Sequence, residues 1–102
     1  MTFVVNQLIV QAIREKRRLR FTYNGVARLA EPQRYGQGKK GTELLRVHQL
    51  TGASQSKPLF DVSKMKNLAA TDDFFARPGP NYKKNDSAMR VIFCQLKVDG
   101  DV

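Results

Sequence analysis

Ten of the eighteen Lys and Arg side chains fall within residues 14–46, against three acids, so this stretch carries +7 of the chain's net +9. Charge of one sign concentrated in a short run creates a field that draws anions, phosphates above all. Arg28, Arg34 and Arg46 lie in runs that read as strands. There a guanidinium is held rigidly and grips an oxyanion with two hydrogen bonds. Tyr23 and Tyr35 flank the run and offer rings for base stacking, worth ~1–3 kcal/mol each where it occurs. Gln49 can read a base edge. Lys39 and Lys40, bracketed by Gly36, Gly38 and Gly41, form a basic loop beside them. Each residue also has a structural reading. Tyr23 fits a core position, Arg28 can pair with Glu31 or another acid, and Lys39-Lys40 can be a solvated loop tip. The run from Arg14 to Arg18 can equally be a solvated helix end.

The inventory for catalysis is poor. His48 has no evident carboxylate partner, and Asp72-Asp73 beside Phe74-Phe75 reads as a turn or cap. The Gly-rich loop lacks the Gly-Lys-Ser/Thr of a phosphate-binding loop. Cys94, within Val91-Ile92-Phe93-Cys94, reads as a small buried hydrophobe and not as a reactive thiol. One cysteine excludes an internal disulfide, and one Cys with one His leaves no ligand set for a transition metal. The expectation is a protein without catalytic residues, metal or cofactor.

The elements that must position these side chains follow from periodicity. Val5, Leu8, Ile9, Ala12 and Ile13 form one helical stripe, with Thr2 as a candidate N-cap and the basic run at the C-terminal end. Leu19 to Tyr23 alternates as a strand. Asn24-Gly25 then supplies the two positive-φ positions of a hairpin turn, and Val26 to Tyr35 returns. Pro32 marks an edge, a bend or a bulge in that return strand. Leu44–Leu50 and Pro58–Val62 read as further strands, with a tight helical turn at Ser63–Lys66 and a last strand at Asn67–Thr71. Residues 77–86 read as extended. Residues 87–97 are apolar and satisfy helix and strand patterns equally.

With 102 residues, 41% hydrophobic and 26% charged, the chain is the size of one domain and too apolar for wholesale disorder. No apolar run approaches ~18 residues, so no membrane span is expected. The apolar start at residues 3–10 precedes its positive charges instead of following them, the wrong order for a secretory signal. A cytoplasmic location is the expectation.

The order of these features resembles a WYL domain in a short stand-alone form. A helix with Leu8, Ala12 and Ile13 is followed by Leu19-Arg20-Phe21-Thr22-Tyr23-Asn24-Gly25. Arg28, Glu31-Pro32, a Gly-rich loop and a Leu-rich strand come next, then Leu59-Phe60-Asp61-Val62 with Lys64, Met65 and Leu68. The resemblance covers about residues 5–75, and the tail from Arg77 to Leu96 resembles the extension of short members. The name-giving Trp-Tyr-Leu is absent: its region reads Thr42-Glu43-Leu44-Leu45-Arg46, and the chain has no Trp. The resemblance implies a mainly β fold, a small Sm-like or SH3-like β-barrel preceded by an N-terminal helix and followed by an extended C-terminal tail. Residues 1–75 would form the helix-plus-barrel domain and residues 76–102 an extension packing on it or on a partner. It also implies ligand sensing or regulation in bacteria, with nucleic acid bound through basic side chains of the barrel groove.

Together these readings favour a non-enzymatic module that binds single-stranded nucleic acid or a nucleotide-like anion. The site would use Tyr23, Arg28, Arg34, Tyr35, Lys39, Lys40, Arg46 and Gln49. The alternative is a protein-interaction module, docking on a regulator or forming a homodimer through the apolar C-terminal stretch.

Overall fold

The computed structural model describes residues 5–51, 59–76 and 89–96. Among these the chain is mainly β, with one N-terminal helix. The order is α1 (Gln7–Glu15), β1 (Arg17–Tyr23), β2 (Val26–Gln37), β3 (Glu43–Thr51), β4 (Leu59–Asp61), a 3-10 turn (Val62–Lys64), β5 (Lys66–Phe74) and β6 (Val91–Gln95).

Asn6 opens α1. Its side chain accepts from the Ile9 N–H at 3.2 Å, the standard N-cap bond. The expected cap, Thr2, lies outside the described residues. The helix buries Ile9, Val10, Ala12 and Ile13 and leaves Leu8 39% exposed, so Val10 takes the core position that the stripe assigned to Leu8. Lys16 ends the helix in the left-handed conformation (φ 57°), its N–H turned back to the carbonyls of Ala12 and Ile13. The basic run is therefore split. Arg14 sits in the last helical turn, while Arg17 and Arg18 already belong to β1.

Asn24 (φ 52°) and Gly25 (φ 75°) form the expected two-residue turn and set the β1–β2 register, with Leu19 opposite Ala30 and Phe21 opposite Arg28. β2 is the organising strand. One edge pairs with β3 over Leu29 to Gln37. The other edge is shared, with β1 opposite Val26 to Ala30 and β6 opposite Arg34 to Gln37. Pro32 falls in the gap between β1 and β6, where no strand among the described residues stands opposite that edge. The β2–β3 register shifts immediately after it, so Pro32 marks a bulge.

Gly36, expected in the loop, instead lies buried within β2. A side chain there would press on the backbone oxygen of Val91 and come within 3.2 Å of the Ile92 Cα, so glycine is what admits β6. The apolar end of the chain thus contributes a strand over residues 91–95, and the C-terminal segment joins the sheet.

The sheet is antiparallel, in the order β4-β3-β2-β1-β5, with β6 attached to β2. β4 and β5 end this path and do not pair with each other, so the sheet is open among the described residues. Leu19, Phe21, Ala30, Tyr35, Leu45, Val47 and Phe60 form one face and receive α1, Phe75 and Leu96. No helix among the described residues is long and apolar enough to cross a membrane.

Candidate anion-binding site

Arg28 alternates onto the apolar face of β2, opposite Phe21, and is only 6% exposed. Its guanidinium lies 5.5 Å from the ring centre of Tyr23 and 5.3 Å from that of Phe60. The two rings meet edge to face at 4.7 Å, and Phe60 in turn packs on Phe21. One terminal nitrogen donates to Gln49 Oε1 at 3.1 Å and the other to the Tyr23 carbonyl at 3.2 Å. Nε is buried with no partner. Both acceptors are neutral, and among the described residues no carboxylate balances the charge. Cation–π contacts offset part of the cost of burying it, ~0.5–2 kcal/mol. A lone buried charge is otherwise expensive, which makes this guanidinium the candidate to receive an anion.

The pairing of Arg28 with Glu31 does not occur. Three residues apart on a strand, they point to opposite faces. Glu31, nearly buried, is held instead by Arg18 at 3.0 Å. Tyr23 packs at the margin of the core: half-buried, it lies against Phe60, and its hydroxyl accepts from the Asp61 N–H at 3.4 Å.

The other expected site residues divide among three places. Arg34 and Arg46 stand opposite one another across β2 and β3. Arg34 is buried, with Nε donating to Gln95 Oε1 on β6 at 2.9 Å. Tyr35 offers no ring face to a ligand. It is fully buried, packs edge to face on Phe93 at 5.2 Å, accepts from the Asn6 N–H at 2.9 Å and donates to Glu43. Burial and the Glu43 carboxylate push its hydroxyl pKa well above the ordinary tyrosine value of 10.0. Lys39 and Lys40 are exposed in a turn closed by Gly38 N–H to Thr42 O (2.9 Å) and Gly41 N–H to Gly38 O (3.0 Å). That turn follows the far end of β2, about 30 Å of extended strand from Arg28. Tyr23, Arg28 and Gln49 are therefore the expected residues that converge.

Phe60, which no chemical signal in the sequence singles out, completes the cluster. Its position in a short strand beside Pro58 carried no hint of a cation. Glu43 is the other unforeseen partner. It looked like one of three acids diluting the basic run but serves as acceptor for Tyr35.

Arg17 anchors a separate charged cluster, bonded to Glu15 at 2.6 Å and Asp72 at 3.1 Å and stacked on Phe74 at 4.7 Å. Hydrogen bonding to Arg17 lowers the Glu15 pKa, and the same contact raises that of Arg17. Asp72 and Asp73, expected as turn or cap residues, lie within β5 with their side chains exposed. Among the described residues no three His, Cys, Asp or Glu side chains are grouped to hold a metal ion.

The described residues thus form an open antiparallel sheet with one helix and a buried cation walled by aromatic rings. It matches no family model, no curated protein and no solved structure among known proteins.

Proposed function

We propose that this chain is a non-enzymatic binding module that takes an anionic ligand at Arg28, with single-stranded nucleic acid or a nucleotide as the ligand class. The observation that carries the reading is a buried guanidinium with two neutral acceptors, an unpartnered Nε and no carboxylate partner among the described residues. Half-buried Tyr23 and Gln49 form its rim and suit a base better than they suit a bare ion. The basic stretch over residues 14–46 supplies long-range attraction.

The element order supports kinship with the short WYL-like domains: a helix, an Asn-Gly hairpin, a long bent strand and a Leu-rich strand. On that reading the sheet is an open relative of the Sm-like or SH3-like barrel, and the module serves a cytoplasmic regulator in bacteria.

Fluorescence anisotropy with labelled single-stranded DNA, single-stranded RNA, duplex DNA and a labelled mononucleotide, across a salt series, tests this. Single strands should bind, with log affinity falling by about 0.7 per contacted phosphate per log unit of salt. Arg28→Met, which keeps the stem and removes the charge, should weaken binding by roughly tenfold or more, the loss of one charge-assisted contact. Absence of binding to every probe at low salt, or full affinity in Arg28→Met, would overturn the proposal.

A further inference from the structure

β5 is the longest strand with an edge left open: it pairs with β1 on one side and with no described strand on the other. An open edge is a template for another strand. Its charges are polarised along its length. Lys66 is exposed at one end, with Lys64 in the 3-10 turn just before it, Asp72 and Asp73 are exposed at the other, and Leu68-Ala69-Ala70-Thr71 between them is neutral.

We propose that a second copy of this chain docks antiparallel along β5, about a two-fold axis at Ala69. A two-fold axis normal to an antiparallel pair passes through a residue that faces itself, because hydrogen-bonded and non-hydrogen-bonded pairs alternate along the ladder. With Ala69 facing Ala69, Leu68 faces Ala70, and beyond the register shifts that flank Ala69 and Ala70 the Lys66 end of each strand lies alongside the Asp72 end of the other, twice over. A parallel arrangement in register stacks like charge on like. The charges of the edge therefore select the antiparallel arrangement over the parallel one.

A second feature converges on the same axis. Leu8, Gln11, Ala12 and Ala70 line a shallow groove between α1 and β5, and Leu8 and Ala70 are exposed in it. Ala70 is one residue from the axis, so the grooves of the two copies abut and each covers the other's Leu8. Asp72 contacts Arg17, but Arg17 also holds Glu15, and the Asp72 carboxylate faces solvent and remains open to a second cation. The small side chains at the centre let the two backbones approach to ladder distance.

Sedimentation equilibrium on the full chain tests the interface, with circular dichroism as the check on folding. The wild type should dimerise, more weakly as salt rises. The variant Lys64→Glu/Lys66→Glu and the variant Asp72→Lys/Asp73→Lys should each be monomeric at concentrations where the wild type is dimeric, a loss of roughly tenfold or more from several facing like charges. Mixed together, the two variants should form a heterodimer. The chain carrying all four reversals should dimerise with itself again. A monomeric wild type, or a dimer indifferent to these changes, would overturn the proposal. All four side chains are exposed, so the variants should fold.

Discussion

β2 carries two buried arginines six positions apart, and they sit in opposite kinds of surroundings. At Arg34 the strand is flanked on both edges, by β3 and by β6, and the guanidinium ties β2 to Gln95 on β6. At Arg28 β1 stands along one edge and the β3 pairing begins at the next residue, Leu29, while the guanidinium rests on aromatic rings beside the half-exposed Tyr23 and Gln49. The same side chain bonds a neighbouring strand in one half of β2 and lies on aromatic rings in the other. Burial alone does not separate the two surroundings; the partners of each guanidinium do, a β6 side chain at Arg34 and aromatic rings at Arg28.

The largest test of this contrast swaps each arginine for methionine, which preserves much of the volume. Arg34→Met should cost about 2–4 kcal/mol, because it strands Gln95 Oε1 and loosens β6 from the sheet. Arg28→Met should leave stability within about 1 kcal/mol of wild type, because it removes an uncompensated buried charge while its neutral acceptors lie next to solvent. Urea unfolding of both variants reads the difference directly. Equal losses would mean that Arg28 is also a strut, and its candidacy as a binding residue would lapse.

The contrast extends to two glycines. Gly36 sits in the closed half, where an added Cβ meets Val91 backbone and Met89 Sδ; Gly25 sits in the turn, with nothing within 4 Å of such an atom but a φ of +75°. Gly36→Ala should cost about 1–3 kcal/mol by overpacking. Gly25→Ala should cost about 1 kcal/mol, from backbone strain alone. Hydrogen exchange should locate the damage: β6 amides lose protection in the first variant and keep it in the second. Unchanged β6 protection in Gly36→Ala would argue against glycine as the condition for that strand's docking.

Much of the open half was legible in the sequence. The Asn24-Gly25 turn makes Tyr23 face Val26, and every pair along that hairpin then sums to 49. Phe21 meets Arg28, and Arg18 meets Glu31. The same arithmetic excludes the Arg28–Glu31 pair, since residues three apart on a strand cannot share a face. The closed half was hidden because its determinants are non-local. Gly36 reads as a loop glycine until β6 is seen to need its space. Tyr35 reads as an available ring until the Asn6 amide and the Glu43 carboxylate are placed at its hydroxyl. Short apolar runs such as 91–95 satisfy helix and strand alike, and only the vacant edge of β2 decides between them.

Tyr35 supplies the finest test of how closed that half is. Its hydroxyl bridges the helix cap and β3, and burial together with Glu43 raises its pKa above 10.0. A raised folded-state pKa means that the native protein holds this proton more tightly than the unfolded chain does. The contribution to stability is therefore complete below the unfolded value, near pH 10, and is lost as pH rises through the folded one. Tyr35→Phe should lower stability at neutral pH by about 1–2 kcal/mol, the net worth of the hydroxyl's bonds. Its stability should also fall less steeply than that of wild type above pH 10, because phenylalanine has no proton to lose. Parallel alkaline limbs for the two proteins would place the Tyr35 hydroxyl in contact with water. The half of β2 that carries Arg34 would then be no more closed than the half that carries Arg28.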